Sequence, residues 1–177
     1  MGDDLILARN NVTLSGNGER VLVFAHGFGC DQHMWKDVAH QFEADFQVVL
    51  FDHVGAGDSD LSAYDSAKYS TLNGYASDLV EIGDALNLQN AVIIGHSVSA
   101  MIGALASIRR PDLFDEIVMV GPSPRYINDG DYLGGFSEAQ IEELLSFLDE
   151  NHLGWSAAMA PQIMGNVDRP ELGERLT

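Results

Sequence analysis

The sequence has a single cysteine, Cys30, so no disulfide can form within the chain and nothing in it depends on an oxidising compartment. Basic residues are scarce too. Nine Lys and Arg against 27 Asp and Glu leave a net charge of -18, which argues against nucleic acid and anionic membrane as partners. That charge serves either solubility or life in a salt-rich medium. No apolar run approaches the ~18 residues of a membrane helix. Leu5-Ile6-Leu7, behind an acidic N-terminus, is too short for the core of a secretion signal. The expectation is a soluble, cytoplasmic chain. Neither H-x-H nor H-E-x-x-H occurs, so no metal and no cofactor is expected. Internal repeats and low-complexity tracts are absent as well.

What is present is enough for one sizeable core: 177 residues, 46% of them hydrophobic. Residues 5 to 14 alternate loosely between apolar and polar and end at Ser15-Gly16-Asn17-Gly18, which reads as a hairpin closed by turn residues. Continuous apolar runs follow at Arg20 to Ala25, Phe46 to Phe51, Ala91 to Ile94 and Glu116 to Val120. Such runs suit strands covered on both faces. Between them, Leu79, Ile82, Gly83 and Leu86 place one apolar face on a crossover helix over Thr71 to Leu88. Strands alternating with helices imply an α/β fold with a mostly parallel, doubly wound sheet. Residues 1–125 are assigned to this core. Residues 126–177 read as helices and turns laid over the strand ends as a partial lid, with a capping box at Ser137 and Gln140 and a stripe at Ile141, Leu144, Leu145 and Leu148. Gly154 to Gly165 and Arg169 to Leu176 read as further helices.

The chemistry concentrates in Val92-Ile-Ile-Gly95-His96-Ser97-Val98-Ser99, a buried strand, a turn centred on serine, then a helix of small residues. This is the pattern of a nucleophile elbow, so tight that the positions two before and two after the serine must be small. Gly95 and Ser99 fill them, the latter where G-x-S-x-G has glycine. His26-Gly27-Phe28-Gly29 follows an earlier strand, where its amide at Phe28 pairs with that of Val98 as an oxyanion hole. The Asp52 to Ser59 turn, DHVGAGDS, reads as structural.

HGFGCDQHMW from His26, FDHVGAGDSD from Phe51, GHSVSAMIG from Gly95, ASIRRP from Ala106 and VGPSPRY from Val120 together resemble the α/β-hydrolase superfamily. Within it they look most like the RsbQ-like stress-signalling hydrolases and the plant karrikin and strigolactone receptor-like hydrolases. The resemblance implies a Ser-His-Asp triad, a helical lid and an apolar pocket lined by Phe28, Phe136, Trp155 and Met159. It implies a small apolar ester-like or lactone-like ligand, and a protein signalling partner for a receptor-like member. It also implies that the acid and histidine lie beyond Thr177, so that the chain is truncated within the lid and leaves Glu116 to Val120 as a bare edge.

Three readings follow: a serine hydrolase with Ser97 as nucleophile, a receptor-like protein that binds or slowly hydrolyses its ligand, and an inactive fragment. Each residue also has a plain alternative. Ser97 could merely cap a helix, and the four pocket residues could be ordinary packing. His26 and His96 would bond to backbone, and His33 and His40 would sit on the first helix, partly solvated like His53. His152 is the one histidine placed to hang over Ser97. Cys30 reads as a small buried hydrophobe.

Overall fold

The computed structural model describes residues 2–150 together with Gly154, Ala160, Gly165, Asp168, Arg169 and Glu171. The chain forms two compact units, Met1–Pro124 and Arg125–Thr177.

The first unit is an α/β sheet domain. Its elements are α1 (Asp3–Arg9), β1 (Thr13–Gly16), β2 (Arg20–Ala25), β3 (Phe46–Leu50), α2 (Leu72–Ala85), β4 (Ala91–His96), α3 (Val98–Arg109) and β5 (Phe114–Val120). The strands lie in the order β1-β3-β2-β4-β5. All neighbours are parallel except β1, which runs antiparallel to β3.

Alternation along β2 builds both faces of the sheet at once. Val21, Val23 and Ala25 join Val49, Phe51 and Ile93 beneath Leu79 and Ile82 of α2 and Ile102 and Ala106 of α3. Leu22 and Phe24 point the other way, packing with Val48 and Val92 against Trp35 and Ala39. Helix α3 approaches β4 closely because position 103 is glycine: a Cβ there would lie 2.9 Å from Ile93 Cγ2. Thr71 caps α2, its hydroxyl accepting from the Asn73 amide at 3.3 Å.

The N-terminal segment differs from the hairpin expected for it. Residues 3 to 9 are helical, with Asp3 and Asp4 at the positive end, Arg9 at the negative end and Ile6 turned into the core. Strand β1 pairs with β3 rather than with β2. Gly16 and Gly18 serve a close crossing rather than a hairpin turn, since a Cβ on them would lie 2.2 Å from Phe46 O and 2.0 Å from Asp45 O. The two positions expected on one first helix also differ: His33 and His40 lie on separate 3₁₀ turns, Gln32–Trp35 and Ala39–Phe42.

α1 is fastened by charge as well as by packing. Buried Arg9 sits 3.2 Å from Asp78 Oδ1, and Asp78 also accepts from Lys68 Nζ at 2.6 Å and Tyr69 OH at 2.8 Å. A buried carboxylate with that many donors avoids the penalty of an unpaired charge.

The second unit contains α4 (Glu138–Glu150). The expected capping box is present: the Ser137 amide donates to Gln140 Oε1 at 2.8 Å and the Gln140 amide to Ser137 Oγ at 3.2 Å. The helices expected beyond residue 153 lie outside the described residues.

Candidate active site

The chain leaves β2 for β3 on one side, then crosses over to β4 on the other, so β2 and β4 flank the point where the strand order reverses. Ligands in open α/β sheets bind in the crevice outside the carboxyl ends of the strands at such a point. Three loops meet there, those after β2, β3 and β4. Their alignment follows from register, with Phe24 beside Leu50 on one side and Ile94 on the other, and Ala25 beside Gly95.

Ser97 stands between β4 and α3 with φ 56° and ψ -121°. This left-handed backbone is unfavourable for a residue bearing a Cβ, at a cost of roughly 1–3 kcal/mol, and persists only where its surroundings impose it. Here they do. Its amide donates to Val120 O at 2.8 Å, and Gly95 fits only without a side chain, since a Cβ would lie 2.5 Å from Ser99 O. The side chain is half-buried at the head of a helix whose first amides, Val98 among them, have no partner within the helix.

The loop after β2 runs alongside. A Cβ on Gly27 would lie 3.3 Å from Ser97 Cβ and 2.4 Å from His96 Nδ1, so only glycine lets this backbone pass the serine. Phe28 follows, 55% exposed, and the turn closes with the Cys30 amide donating to Gly27 O at 3.3 Å. Half-buried Cys30 has its thiol pKa raised, by burial first and then by nearby Asp31, which disfavours the thiolate form.

Asp52, at the end of β3, is fully buried and structural. Its carboxylate accepts from Asn11 Nδ2 at 2.8 Å and from the amides of Gln32 and Asp58 at 2.8 and 3.0 Å. Burial pushes its pKa up, but these donors outweigh burial and hold it below the usual carboxylate range. Gly57 is required beside it, a Cβ there meeting the carboxylate at 2.5 Å.

The histidines behind the serine form a closed circuit. The His53 amide donates to His26 Nε2 at 3.0 Å, which makes that nitrogen the acceptor and leaves His26 Nδ1–H to donate to Gly27 O at 2.9 Å. Ser99 Oγ–H donates to His26 O at 2.5 Å, so Ser99 Oγ receives its own hydrogen bond from His53 Nε2–H at 2.7 Å. Both rings are neutral. Burial lowers the His53 pKa to about 3, helped by proximity to His26, and burial likewise lowers those of His26 and His96.

His53 was expected to be partly solvated, yet it is buried between Phe51, Tyr75 and His26. The Ser99–His53 pair imitates a nucleophile–base couple but cannot be one. Ser99 is wholly buried, and its proton is committed to a carbonyl while the imidazole is the donor. The one hint of this in the sequence was Ser99 itself, standing where the elbow pattern has glycine.

The structure therefore brings Ser97, Gly27 and the head of α3 together. Phe136 belongs to the second unit, half-buried, its amide donating to Tyr126 O at 3.1 Å. Trp155, Met159 and His152 lie outside the described residues. His26 bonds to backbone as expected. His33 lies 71% exposed beside Asp31, and His40, also exposed, faces Lys36 O. Among the described residues no group of His, Cys, Asp and Glu could hold a metal ion, and no helix is long and apolar enough to cross a membrane.

Comparison with known proteins agrees with this architecture. A family model described as the alpha/beta hydrolase fold matches residues 20–158. Strigolactone esterase D14 of Arabidopsis thaliana is 45% identical over 165 residues, 93% of this chain and 62% of that protein. Karrikin insensitive 2 receptor CA of Petunia hybrida is 44% identical, over 88% of this chain and 58% of its own length. Among solved structures, a hydrolase from Oleispira antarctica superposes with a TM-score of 0.90 at 43% identity, covering 99% of this chain and 65% of that one. The chain thus spans about three-fifths of the length of the curated relatives it matches.

Proposed function

The chain belongs to the α/β-hydrolase family, and from that premise we propose that it carries the nucleophile and oxyanion hole of a serine hydrolase acting on a small apolar ester or lactone. The observation that carries this reading is the left-handed backbone of Ser97 at the junction of β4 and α3. Strain of that kind, held by a glycine that admits no side chain, presents a hydroxyl at a helix N-terminus. Ser97 Oγ attacks the carbonyl carbon as its proton passes to the triad histidine, and the amides of Phe28 and Val98 hold the developing oxyanion. The alcohol leaves with that proton as the carbonyl re-forms, and water then hydrolyses the acyl-serine to the acid and free serine. Phe28, exposed beside the serine, offers an apolar wall to the substrate. In this family the triad acid and histidine follow the serine in chain order. The one histidine after Ser97 is His152. A cytoplasmic setting fits this reading.

A second reading draws on the receptor among the 44%-identical relatives. There the same pocket binds a lactone-like ligand, turns it over slowly and contacts a protein partner when occupied, in the manner of the RsbQ-like and karrikin-type signalling hydrolases.

Both are tested by assaying the 177-residue chain on a short-chain p-nitrophenyl ester beside Ser97→Ala. Without a base, oxyanion stabilisation and binding leave roughly 10³ to 10⁴ over water, so slow, Ser97-dependent release of nitrophenol is expected. Equal rates in the two proteins overturn Ser97 as nucleophile. Rapid Ser97-dependent turnover would mean that a histidine within these 177 residues, His152 first among them, serves as the base.

A further inference from the structure

The loop that must offer the Phe28 amide has glycine on either side of it. It reads His26-Gly27-Phe28-Gly29, with Gly29 at φ 73° and Phe28 exposed. An oxyanion donor contributes only if it is already in place when charge develops, so such a loop needs an anchor close by.

Ser99 lies on the first turn of α3, where Ala100, Ile102 and Gly103 are also buried, and glycine there would satisfy the sterics of the elbow. The hydroxyl is therefore an addition. It is wholly buried and uses both of its hydrogen-bonding roles, donating to His26 O and accepting from His53 Nε2. His53 in turn grips the His26 ring through its own amide, and His26 Nδ1 reaches Gly27 O. His26 is thus held at its carbonyl and at both ring nitrogens, two residues before Phe28.

We propose that Ser99 and His53 are a positioning pair, locking His26 so that the Phe28 amide stays aligned with Ser97. This rests on the reading of Ser97 as nucleophile. The pair touches no substrate. It acts through the carbonyl of His26, with the loops after β2 and β3 tied to the head of α3.

The test uses three variants of the 177-residue chain: Ser99→Ala, His53→Gln and His53→Asn. Glutamine carries an amide N–H out to where the imidazole Nε2–H stands, whereas asparagine falls short of it. Two quantities are read, the backbone order parameters of residues 27 to 29 by ¹⁵N relaxation and the Ser97-dependent hydrolysis of p-nitrophenyl acetate. Ordered loops give order parameters near ~0.85 and flexible ones below ~0.6. The parent and His53→Gln should stay near the upper figure. Ser99→Ala and His53→Asn should fall towards the lower one, with kcat reduced about tenfold, a factor in keeping with one buried hydrogen bond, and KM changed less than twofold. Residues 22 to 25 of β2 should keep parent values throughout, which separates loosening of the loop from loosening of the fold.

Order parameters that remain high in Ser99→Ala and His53→Asn overturn the inference, as does a parent loop that is already flexible. Equal behaviour of the Gln and Asn variants also overturns it. If Ser99→Ala does not fold, the Gln and Asn pair decides alone. Failure of the Ser97 reading looks different: Ser97→Ala keeps the parent rate while the order parameters follow the pattern above.

Discussion

Strands β4 and β5 are parallel neighbours from Ala91 beside Phe114 to His96 beside Val120, with a one-residue shift between Ala91 and Val92, and both read in the sequence as apolar runs. Their fates differ. β4 lies between β2 and β5 beneath α3, and Ile93 at its centre is completely buried. Among the described residues β5 has a neighbour on one side only, and Val118, Met119 and Val120 are 48%, 42% and 41% exposed. An apolar run thus announces a strand but not how many neighbours it acquires. The strained serine stands on the sheltered strand, where packing on every side can hold an unfavourable backbone.

The comparison breaks most plainly by truncation. Ile93→Ala should cost about 2–5 kcal/mol in urea unfolding, whereas Val118→Ala should cost under about 1 kcal/mol, because a half-exposed methyl leaves no cavity. Equal costs would mean that β5 is as sheltered as β4. Next is Gly95→Ala, whose added Cβ has no room against Ser99 O. Overpacking of this kind costs about 1–3 kcal/mol, and the displaced turn should also remove Ser97-dependent hydrolysis. A variant with parent stability and rate would show that the elbow is not constrained as described.

Acid should act on the same sheltered end. His53, with its pKa lowered to about 3, stays neutral in the fold, while the unfolded chain takes up the proton near ~6.5. Its contribution to stability is therefore complete above pH ~6.5 and falls as pH drops towards 3, by up to about 1.4 kcal/mol per pH unit. His26 and His96, lowered in the same direction, steepen the loss, and Asp52 adds to it below ~4. Chemical unfolding at pH 7, 6 and 5 should show declining stability, and His53→Gln should flatten the decline. The smallest effect belongs to the open edge: Met119→Lys should leave stability within about 0.5 kcal/mol. It should also reduce self-association in sedimentation, since a charge on an exposed strand discourages edge pairing. A large loss of stability there would mean that the residue is packed after all.

Much of this was legible beforehand because it is local. The buried runs announce themselves by composition, α2 by its stripe at Leu79, Ile82 and Gly83, and α4 by its capping box. The strand–serine–helix order of residues 91 to 109 is likewise written in small and apolar residues. Misreading began where partners are far apart. Residues 3 to 9 alternate too loosely to separate helix from strand, and what settles them is Ile6 meeting the core and Arg9 meeting Asp78. The burial of His53 was invisible for the same reason.

By itself, then, the sequence determined the alternation of strands and helices and the serine at a turn too tight for any residue but glycine at position 95. Only the tertiary structure decided that β1 pairs with β3 and that Ser99 binds His26 across 73 residues of chain. Propensity and periodicity act over a few residues, whereas a buried hydrogen bond takes whichever partner the finished fold brings within reach.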